Sequence, residues 1–246
     1  HIRAPALCAS FATGGVAGVA PTALLHRQVT CTDGQMRDLV IGVTSVLPPQ
    51  TSIWNKRCLE GVVTFEQGAA AARRAIATLR AQGADVVLLL CHSGLPASGI
   101  GDDENFAATL AQDLDGIDAL VLGHTHQRFP IPEGPRDLNG VPAVMPGYGA
   151  EALGVIDLRL GWSPTGWQLA GHSARLRDAQ STDPPAERIT ALAAPAMART
   201  GAVLNTEIGR AVAGFHSYFE MLQSGTSAAL VACAMTQTVA AHVAGT

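Results

Sequence analysis

The chain has 246 residues, enough for one large domain or two smaller ones, and its 48% hydrophobic content is ordinary for a globular protein. Its formal net charge of −4 excludes the strongly basic surface with which proteins bind a nucleic-acid polymer or an anionic membrane. The five cysteines are scattered without a CxxC pair, which makes a poor disulfide framework.

The N-terminal part of the chain begins with a mostly apolar stretch at residues 4–25. Glycines and prolines interrupt this stretch, so we predict neither a signal peptide nor a membrane span there. Residues 39–45 (LVIGVTS) are then a short β-branched run, which ends at Pro48 and Pro49. This pattern is typical of a buried strand.

A helix and a second strand are predicted next. Thr64 and Gln67 have the spacing of a capping box, and the helix should continue to about Arg80. Gly83 stands where a C-cap glycine belongs. Residues 85–90 (DVVLLL) follow as a continuous apolar run, which favours a strand covered on both faces.

A second helix and a third strand complete a repeating pattern. The helix is predicted over residues 104–113, with Asp102 as its N-cap, and the strand over residues 117–122 (IDALVL). Strands that alternate with helices predict right-handed crossovers and a largely parallel sheet. The expected fold class is therefore α/β.

The C-terminal part of the chain has a different pattern. Residues 142–145, 154–160 and 167–176 are strand-like, and the last two flank a turn, which predicts an antiparallel hairpin. Residues 178–185 are polar and include prolines, which predicts a linker. Residues 228–245 are apolar with polar interruptions, which favours an amphipathic helix.

Three histidines directly follow the two inner strands. The second strand leads to His92, and the third leads to His124 and His126 in the sequence GHTH. Ligands of open α/β sheets bind beyond the carboxyl ends of the strands, and residues two apart in an extended segment point the same way. Neutral imidazole is the commonest metal ligand. We therefore predict that these histidines form a metal site; the alternative is three loop histidines held by backbone hydrogen bonds.

Other catalytic chemistries lack their sequence patterns. The chain has no GxSxG nucleophile elbow, no GxxxxGK[ST] phosphate loop and no GxGxxG that opens a helix after a strand. Cys91 adjoins His92, but neighbours on a strand point to opposite faces and would not form a nucleophile–base pair. Cys91 is predicted to be a core residue.

Four stretches resemble, in the same order, enzymes of the 5′-nucleotidase family of calcineurin-like metallophosphatases. The GH[ST]H element is shared by the whole superfamily, whereas the VxPPQ and NGVPAVMPG elements point to its 2′,3′-cyclic-nucleotide 2′-phosphodiesterase/3′-nucleotidase branch. The resemblance is dense over residues 39–175. The stretches are GVTSVLPPQTSIWNK, GADVVLLLCHSGL, GIDALVLGHTHQRFP and LNGVPAVMPGYGAEALGVIDLRL.

The resemblance implies a four-layer α/β/β/α domain that holds two divalent metal ions (Zn, Mn, Co or similar) bridged by an aspartate. His92 and His124 correspond to two ligands of one metal, and His126 to a ligand of the other. The family's other ligands and its acid histidine lie in DxH, GD and GNH[DE] motifs. This sequence has no DxH or GNH[DE], and its one GD pair ends at the predicted N-cap Asp102. We therefore assign no catalytic residue and expect at most one bound metal ion.

The resemblance also implies a domain organisation in which this chain is a piece of a longer protein. Residues 1–178 would be the C-terminal half of the metallophosphatase domain, and residues 179–200 a linker. Residues 201–246 would begin a second α+β domain, the family's nucleotide-specificity domain. The missing N-terminal half of the metallophosphatase domain is then an expected partner. Ala152 departs from the related W-G-x-H-L-G pattern, which has a histidine there.

The implied function is hydrolysis of 2′,3′-cyclic nucleotides and nucleoside monophosphates by a water activated between two metals. This chain would be an incomplete and inactive piece, with a nucleotide as substrate and neither a nucleic-acid polymer nor a membrane as partner. The resemblance implies a periplasmic or cell-surface location. From the residues alone two alternatives remain open: a mononuclear three-histidine zinc hydrolase and a non-enzymatic binding module.

Overall fold

The computed structural model of the chain describes residues 4–96, 102–180, 182, 184–222 and 225–244. The chain divides into two compact units, His1–Asp183 and Pro184–Thr246. The strands of the first unit are β1 (Ala6–Leu7), β2 (Phe11–Gly14), β3 (Val19–Ala20), β4 (Thr22–Thr30), β5 (Met36–Val46), β6 (Val63–Phe65), β7 (Val86–Cys91), β8 (Ala119–Leu122), β9 (Arg128–Phe129), β10 (Asp137–Leu138), β11 (Val141–Pro146), β12 (Ala152–Ser163) and β13 (Gly166–Asp178). Its helices are α1 (Thr51–Trp54), α2 (Lys56–Leu59), α3 (Gly68–Ala81) and α4 (Ala107–Asp113).

A seven-stranded sheet forms the centre of the first unit. Its order is β10-β11-β8-β7-β5-β4, and β9 also pairs with β11. The inner strands β5, β7, β8 and β11 are parallel to one another, whereas β4, β9 and β10 pair antiparallel. The predicted α/β class and largely parallel sheet are confirmed.

Helix α3 packs on the sheet through small and aliphatic side chains. The absence of a side chain at Gly42 lets the helix approach β5, since a Cβ there would lie 3.1 Å from the methyl groups of Leu79. Strand β7 presents an apolar run that packs into the same core, which explains its continuous pattern. The buried residues of α3 are Gly68, Ala71, Ala72, Ala75, Ile76 and Leu79.

The predicted start of α3 is wrong. Thr64 lies in β6, where its hydroxyl is 2.6 Å from the Thr13 hydroxyl of the paired strand β2, and Gln67 makes no side-chain capping bond. The strand pairing therefore replaces the capping box, and the helix begins at Gly68. Gly83 follows the helix with a φ of +88°, the left-handed conformation that a C-cap glycine adopts, so its predicted role at the end of α3 is confirmed.

Helix α4 begins later than predicted, at Ala107. The carboxylate of Asp102 accepts hydrogen bonds from the backbone amides of Glu104 and Asn105, so Asp102 caps the turn before the helix instead of the helix itself. The backbone amide of Phe106 donates to the Ser93 hydroxyl at 2.8 Å, which holds the chain outside the helix up to that point. The N-cap prediction for Asp102 is therefore wrong.

The predicted hairpin is confirmed as β12 and β13, which pair antiparallel along nearly their whole length with a register shift after Arg159. Near its turn, the rings of Trp162 and Trp167 make an edge-to-face contact with centroids 5.2 Å apart. The indole N–H of Trp167 donates to the backbone carbonyl of Asp38 at 2.8 Å, which ties the hairpin to β5.

The described residues of the second unit form two helices, α5 (Glu187–Leu204) and α6 (Thr226–Ala244). Helix α5 occupies most of the range 179–200 that was predicted as a linker. Alanine, valine and leucine lie on all sides of α6, so the prediction of an amphipathic helix is wrong. Among the described helices, α6 alone is long and apolar enough to cross a membrane, by length and composition only. The assignment of residues 201–246 to a nucleotide-specificity domain stays a prediction.

Candidate metal centre

His92 and His124 follow neighbouring strands that end level with each other. Cys91, the last residue of β7, pairs with Leu122, the last residue of β8. The residue after Leu122 is Gly123, and a Cβ at Gly123 would lie 3.2 Å from Nδ1 of His92. The absence of a side chain at this position leaves room for the His92 imidazole at the edge of the sheet.

The structure brings two of the three predicted histidines into contact. The rings of His92 and His124 have centroids 5.4 Å apart and meet at an interplanar angle of 65°. Burial lowers the pKa of His92, and the neighbouring charges of His124 and His126 lower this pKa further. His92 therefore keeps an unprotonated nitrogen more readily than a free imidazole, and an unprotonated nitrogen is what metal binding requires.

The sequence predicts that His124 and His126 point the same way because they lie two apart in an extended segment. The loop that carries them is not extended, so this prediction is wrong. His124 has a φ of +81° and His126 a φ of +57°, a left-handed region that non-glycine residues seldom adopt. Such a conformation costs on the order of 1–3 kcal/mol per residue and is concentrated at functional sites. The direction of both side chains is therefore set by this loop conformation and not by strand alternation.

Two aromatic rings cover these histidines. The ring of Trp54 in α1 stacks on His124 with centroids 5.0 Å apart, and the ring of Tyr148 stacks on His126 with centroids 5.5 Å apart. Both aromatic residues are substantially exposed. They were missed from the sequence, although each lies in one of the four stretches that carry the family resemblance.

Glu104 is a further residue that the sequence did not reveal. Its carboxylate oxygen Oε1 lies 2.7 Å from Nε2 of His124. A glutamate in the stretch GDDENF has no local signature of such a contact. The signal lies only in the tertiary structure, because the contact joins the segment before α4 to the loop after β8.

The donor chemistry of these residues fits a divalent cation. Imidazole is a good ligand for zinc and related transition metals, and His92 and His124 are close enough for both to reach one ion. Within the described residues, however, no group of three or more His, Cys, Asp or Glu side chains is arranged to hold a metal ion. The assignment of His92, His124 and His126 as ligands therefore stays a prediction.

The chain is similar to curated nucleotide phosphoesterases, although no protein-family profile matches it. It is 34% identical over 168 residues to the 2′,3′-cyclic-nucleotide 2′-phosphodiesterase/3′-nucleotidase of Salmonella typhimurium, covering 64% of this chain and 26% of that protein. The protein of the same name from Yersinia enterocolitica is 30% identical over 228 residues, covering 86% of this chain and 35% of that protein. The chain thus spans 16% to 35% of the length of its curated relatives.

Solved structures show the same fold. The calcineurin-like phosphoesterase YfkN from Bacillus subtilis has a TM-score of 0.74 and 26% identity, covering 82% of this chain and 64% of that chain. A 5′-nucleotidase precursor from Thermus thermophilus has a TM-score of 0.54 and 19% identity, covering 78% of this chain and 36% of that chain. The latter likeness supports the fold alone.

Proposed function

This chain belongs to the 5′-nucleotidase family of calcineurin-like phosphoesterases, and we propose that His92, His124 and His126 are ligands of a metal centre that hydrolyses phosphoric esters. The observation that carries the proposal is the contact of His92 with His124 at the carboxyl ends of β7 and β8. Ligands of open α/β sheets bind at this position.

The proposed substrates are 2′,3′-cyclic nucleotides and nucleoside monophosphates. The support comes from the curated relatives: three are named 2′,3′-cyclic-nucleotide 2′-phosphodiesterase/3′-nucleotidase and one is named a trifunctional nucleotide phosphoesterase. Their matches cover 64% to 89% of this chain. A periplasmic or cell-surface location, and the lack of a membrane or nucleic-acid polymer as partner, remain predictions from the sequence.

The chain's own residues would contribute imidazole nitrogens held in fixed directions. When bound, a divalent cation supplies Lewis acidity and lowers the pKa of a bound water to give a nucleophile. His92 offers an unprotonated nitrogen because burial disfavours its charged form. The rings of Trp54 and Tyr148 stack on His124 and His126 and limit the rotation of these imidazoles.

We further propose that these residues alone bind at most one metal ion. Two dications held about 3.5–4 Å apart repel each other, and a bridging carboxylate would offset this repulsion. The only GD pair of the sequence ends at Asp102, whose carboxylate already accepts two backbone hydrogen bonds. The sequence also lacks the GNH[DE] motif that would supply the general acid.

A calorimetric metal titration tests the proposal. We expect the chain to bind about one equivalent of Zn²⁺ or Mn²⁺, and His92→Ala and His124→Ala to weaken this binding by roughly 10–100-fold or more, since even the outer partners of a metal ligand contribute that much. His26→Ala is the control, because His26 is exposed on β4. The proposal fails if the parent chain binds no metal, or if all three variants bind it with the parent's affinity.

A further inference from the structure

We propose that Glu104 is a positioning residue for His124: its carboxylate holds the imidazole as the Nε2–H tautomer and leaves Nδ1 as the nitrogen that binds the metal. The inference rests on the proposed function, because it concerns the same centre. It adds a residue that belongs to none of the motifs by which the centre was predicted.

The distance between the two side chains determines the tautomer. Nε2 of His124 lies 2.7 Å from Oε1 of Glu104, within the range of a charge-assisted hydrogen bond. A carboxylate can only accept, so the proton of a neutral His124 must reside on Nε2. The lone pair then resides on Nδ1, the one ring nitrogen left for a cation.

The backbone of Glu104 is itself held in place. The Ser93 hydroxyl donates to the backbone carbonyl of Glu104 at 2.8 Å, and Ser93 is fully buried. The carboxylate of Asp102 accepts a hydrogen bond from the backbone amide of Glu104 at 2.8 Å. Because Ser93 directly follows His92, these bonds connect the loop after β7 to the carboxylate that faces the loop after β8.

A second contact fixes the same imidazole from its face. The stacked ring of Trp54 restricts rotation of the His124 ring, while the bond to Glu104 holds the ring edge. The side chain of His124 is 19% exposed and that of Glu104 is 40% exposed, so the imidazole is the more buried partner of the bond. Two contacts from separate segments thus determine the orientation of the ring. Contacts that hold a side chain in this way also allow His124 to keep its uncommon φ of +81°.

The chemistry of metal-bound histidines gives this contact a role. A histidine that ligates a metal commonly donates its other ring N–H to a carboxylate, which fixes the tautomer and raises the basicity of the ligating nitrogen. Loss of such a partner typically costs about 10–100-fold in metal affinity. Glu104 meets this description through its distance to His124 and its fixed backbone.

Imidazole NMR of the metal-free chain tests the tautomer directly. Long-range ¹H–¹⁵N spectra of the labelled full chain at about pH 8, where a free imidazole is neutral, distinguish the two tautomers. The His124 signals are assigned by their loss in His124→Ala. We expect the Nε2–H tautomer alone in the parent chain and a mixture of both tautomers in Glu104→Ala.

Asp103→Asn is the matched control. Asp103 is the exposed neighbour of Glu104, and its substitution removes the same charge from the same segment. We expect this control to keep the parent's tautomer and its affinity for Zn²⁺, whereas Glu104→Ala should bind Zn²⁺ about 10–100-fold more weakly. If Glu104→Ala does not fold, Glu104→Gln carries the test and should also give a mixture, because its amide can donate to Nε2 as well as accept from it.

The outcomes separate this inference from the proposed function. An unchanged tautomer population in the Glu104 variant overturns the positioning role, and so does a shifted population with unchanged Zn²⁺ affinity. If the parent chain binds no Zn²⁺ at all, the proposed metal centre fails, and the role of Glu104 at that centre fails with it. A shifted tautomer in that case would show only that Glu104 orients the ring.

Discussion

The His124 imidazole is contacted by three side chains from separate segments of the chain: the Glu104 carboxylate, the Trp54 ring and the His92 ring. Each contact restrains the ring in a different direction, one at its edge by a hydrogen bond, one at its face by stacking and one beside it. At the scale of the residue, the ring of His124 is therefore restrained by side chains of other segments and not by its own loop alone.

Cys91 provides a test of the packing directly below the centre. This residue is 2% exposed, and burial raises the pKa of its thiol to about 12. Because the thiolate is the reactive form, we expect Cys91 to resist iodoacetamide at about pH 8 in the native chain, whereas the exposed Cys58 and Cys233 react. Peptide mass spectrometry measures the labelling, and alkylation of Cys91 as fast as that of Cys58 would contradict this packing.

The same pKa shift predicts a dependence of stability on pH. The folded-state pKa of Cys91 is raised, so its neutral thiol contributes stability that is fully present below the ordinary thiol pKa of about 8.5. This contribution is lost as the pH rises toward about 12. The free energy of unfolding should therefore fall less steeply above about pH 9 in Cys91→Ala than in the parent chain. Denaturant titrations at a series of pH values measure this free energy. The same dependence on pH in the two proteins would refute the pKa shift.

The sequence revealed the three histidines but not their neighbours, for a physical reason. A histidine after an apolar run is a local pattern, and the parallel sheet then places His92 and His124 side by side. The contacts of Glu104 and Trp54 with His124 depend on how distant segments pack, which no local pattern encodes. The left-handed backbone at His124 was missed as well, because a glycine indicates such a conformation in a sequence and a histidine does not.

At the scale of the element, the centre depends on how closely the loops after β7 and β8 approach each other. The loop after β7 passes the loop after β8 at Gly94, where an added Cβ would lie 2.2 Å from Cγ2 of Thr125. Thr125 stands between His124 and His126, and its short, branched side chain has little freedom to move aside. Glycine at position 94 therefore allows the contact between the loops.

Gly94→Ala tests this close approach. We expect the free energy of unfolding to fall by about 1–3 kcal/mol, as is typical of overpacking, and metal binding to weaken because Thr125 must move. Gly15→Ala is the matched control, since a Cβ there has no atom within 4 Å. Chemical denaturation measures the stability, and equal values for the two variants would argue against the contact.

The inner strands and the hairpin followed from the sequence, whereas the beginnings of the helices did not. Continuous apolar runs predict buried strands because both faces of the sheet are covered. The start of α3 was predicted wrongly because Thr64 pairs across strands β2 and β6, a non-local interaction. The start of α4 was predicted wrongly because Asp102 caps a turn that precedes the helix.

At the scale of the whole molecule, the chain spans a minor part of the length of its curated relatives. The order of strands and helices was enough to predict the α/β class, because alternation of this kind has few solutions. Helix α5 was missed because the whole range 179–200 was predicted as a linker, although the polar, proline-bearing stretch at residues 178–185 ends before the helix begins at Glu187. Pro195, which lies inside the helix, gives no local indication of one.

Hydrolysis by the purified chain tests how much of the reaction these residues perform alone. We expect little turnover of 2′,3′-cyclic AMP or 3′-AMP with Mn²⁺, Co²⁺ or Zn²⁺, because a general acid contributes about 10²–10⁴-fold in rate and the sequence holds no GNH[DE] motif. Turnover of about 1 s⁻¹ or faster that is lost in His124→Ala would show that the site is complete within this chain.

X-ray absorption at the zinc edge of the Zn²⁺-loaded chain tests the central claim most directly, because it reports the atoms bound to the metal. The proposed centre predicts a shell of imidazole nitrogens at about 2.0–2.1 Å, with the outer scattering of their rings. This shell should diminish in His92→Ala and in His124→Ala and stay unchanged in His26→Ala. A zinc ion surrounded by water oxygens alone, or the same spectrum in all three variants, would contradict the claim.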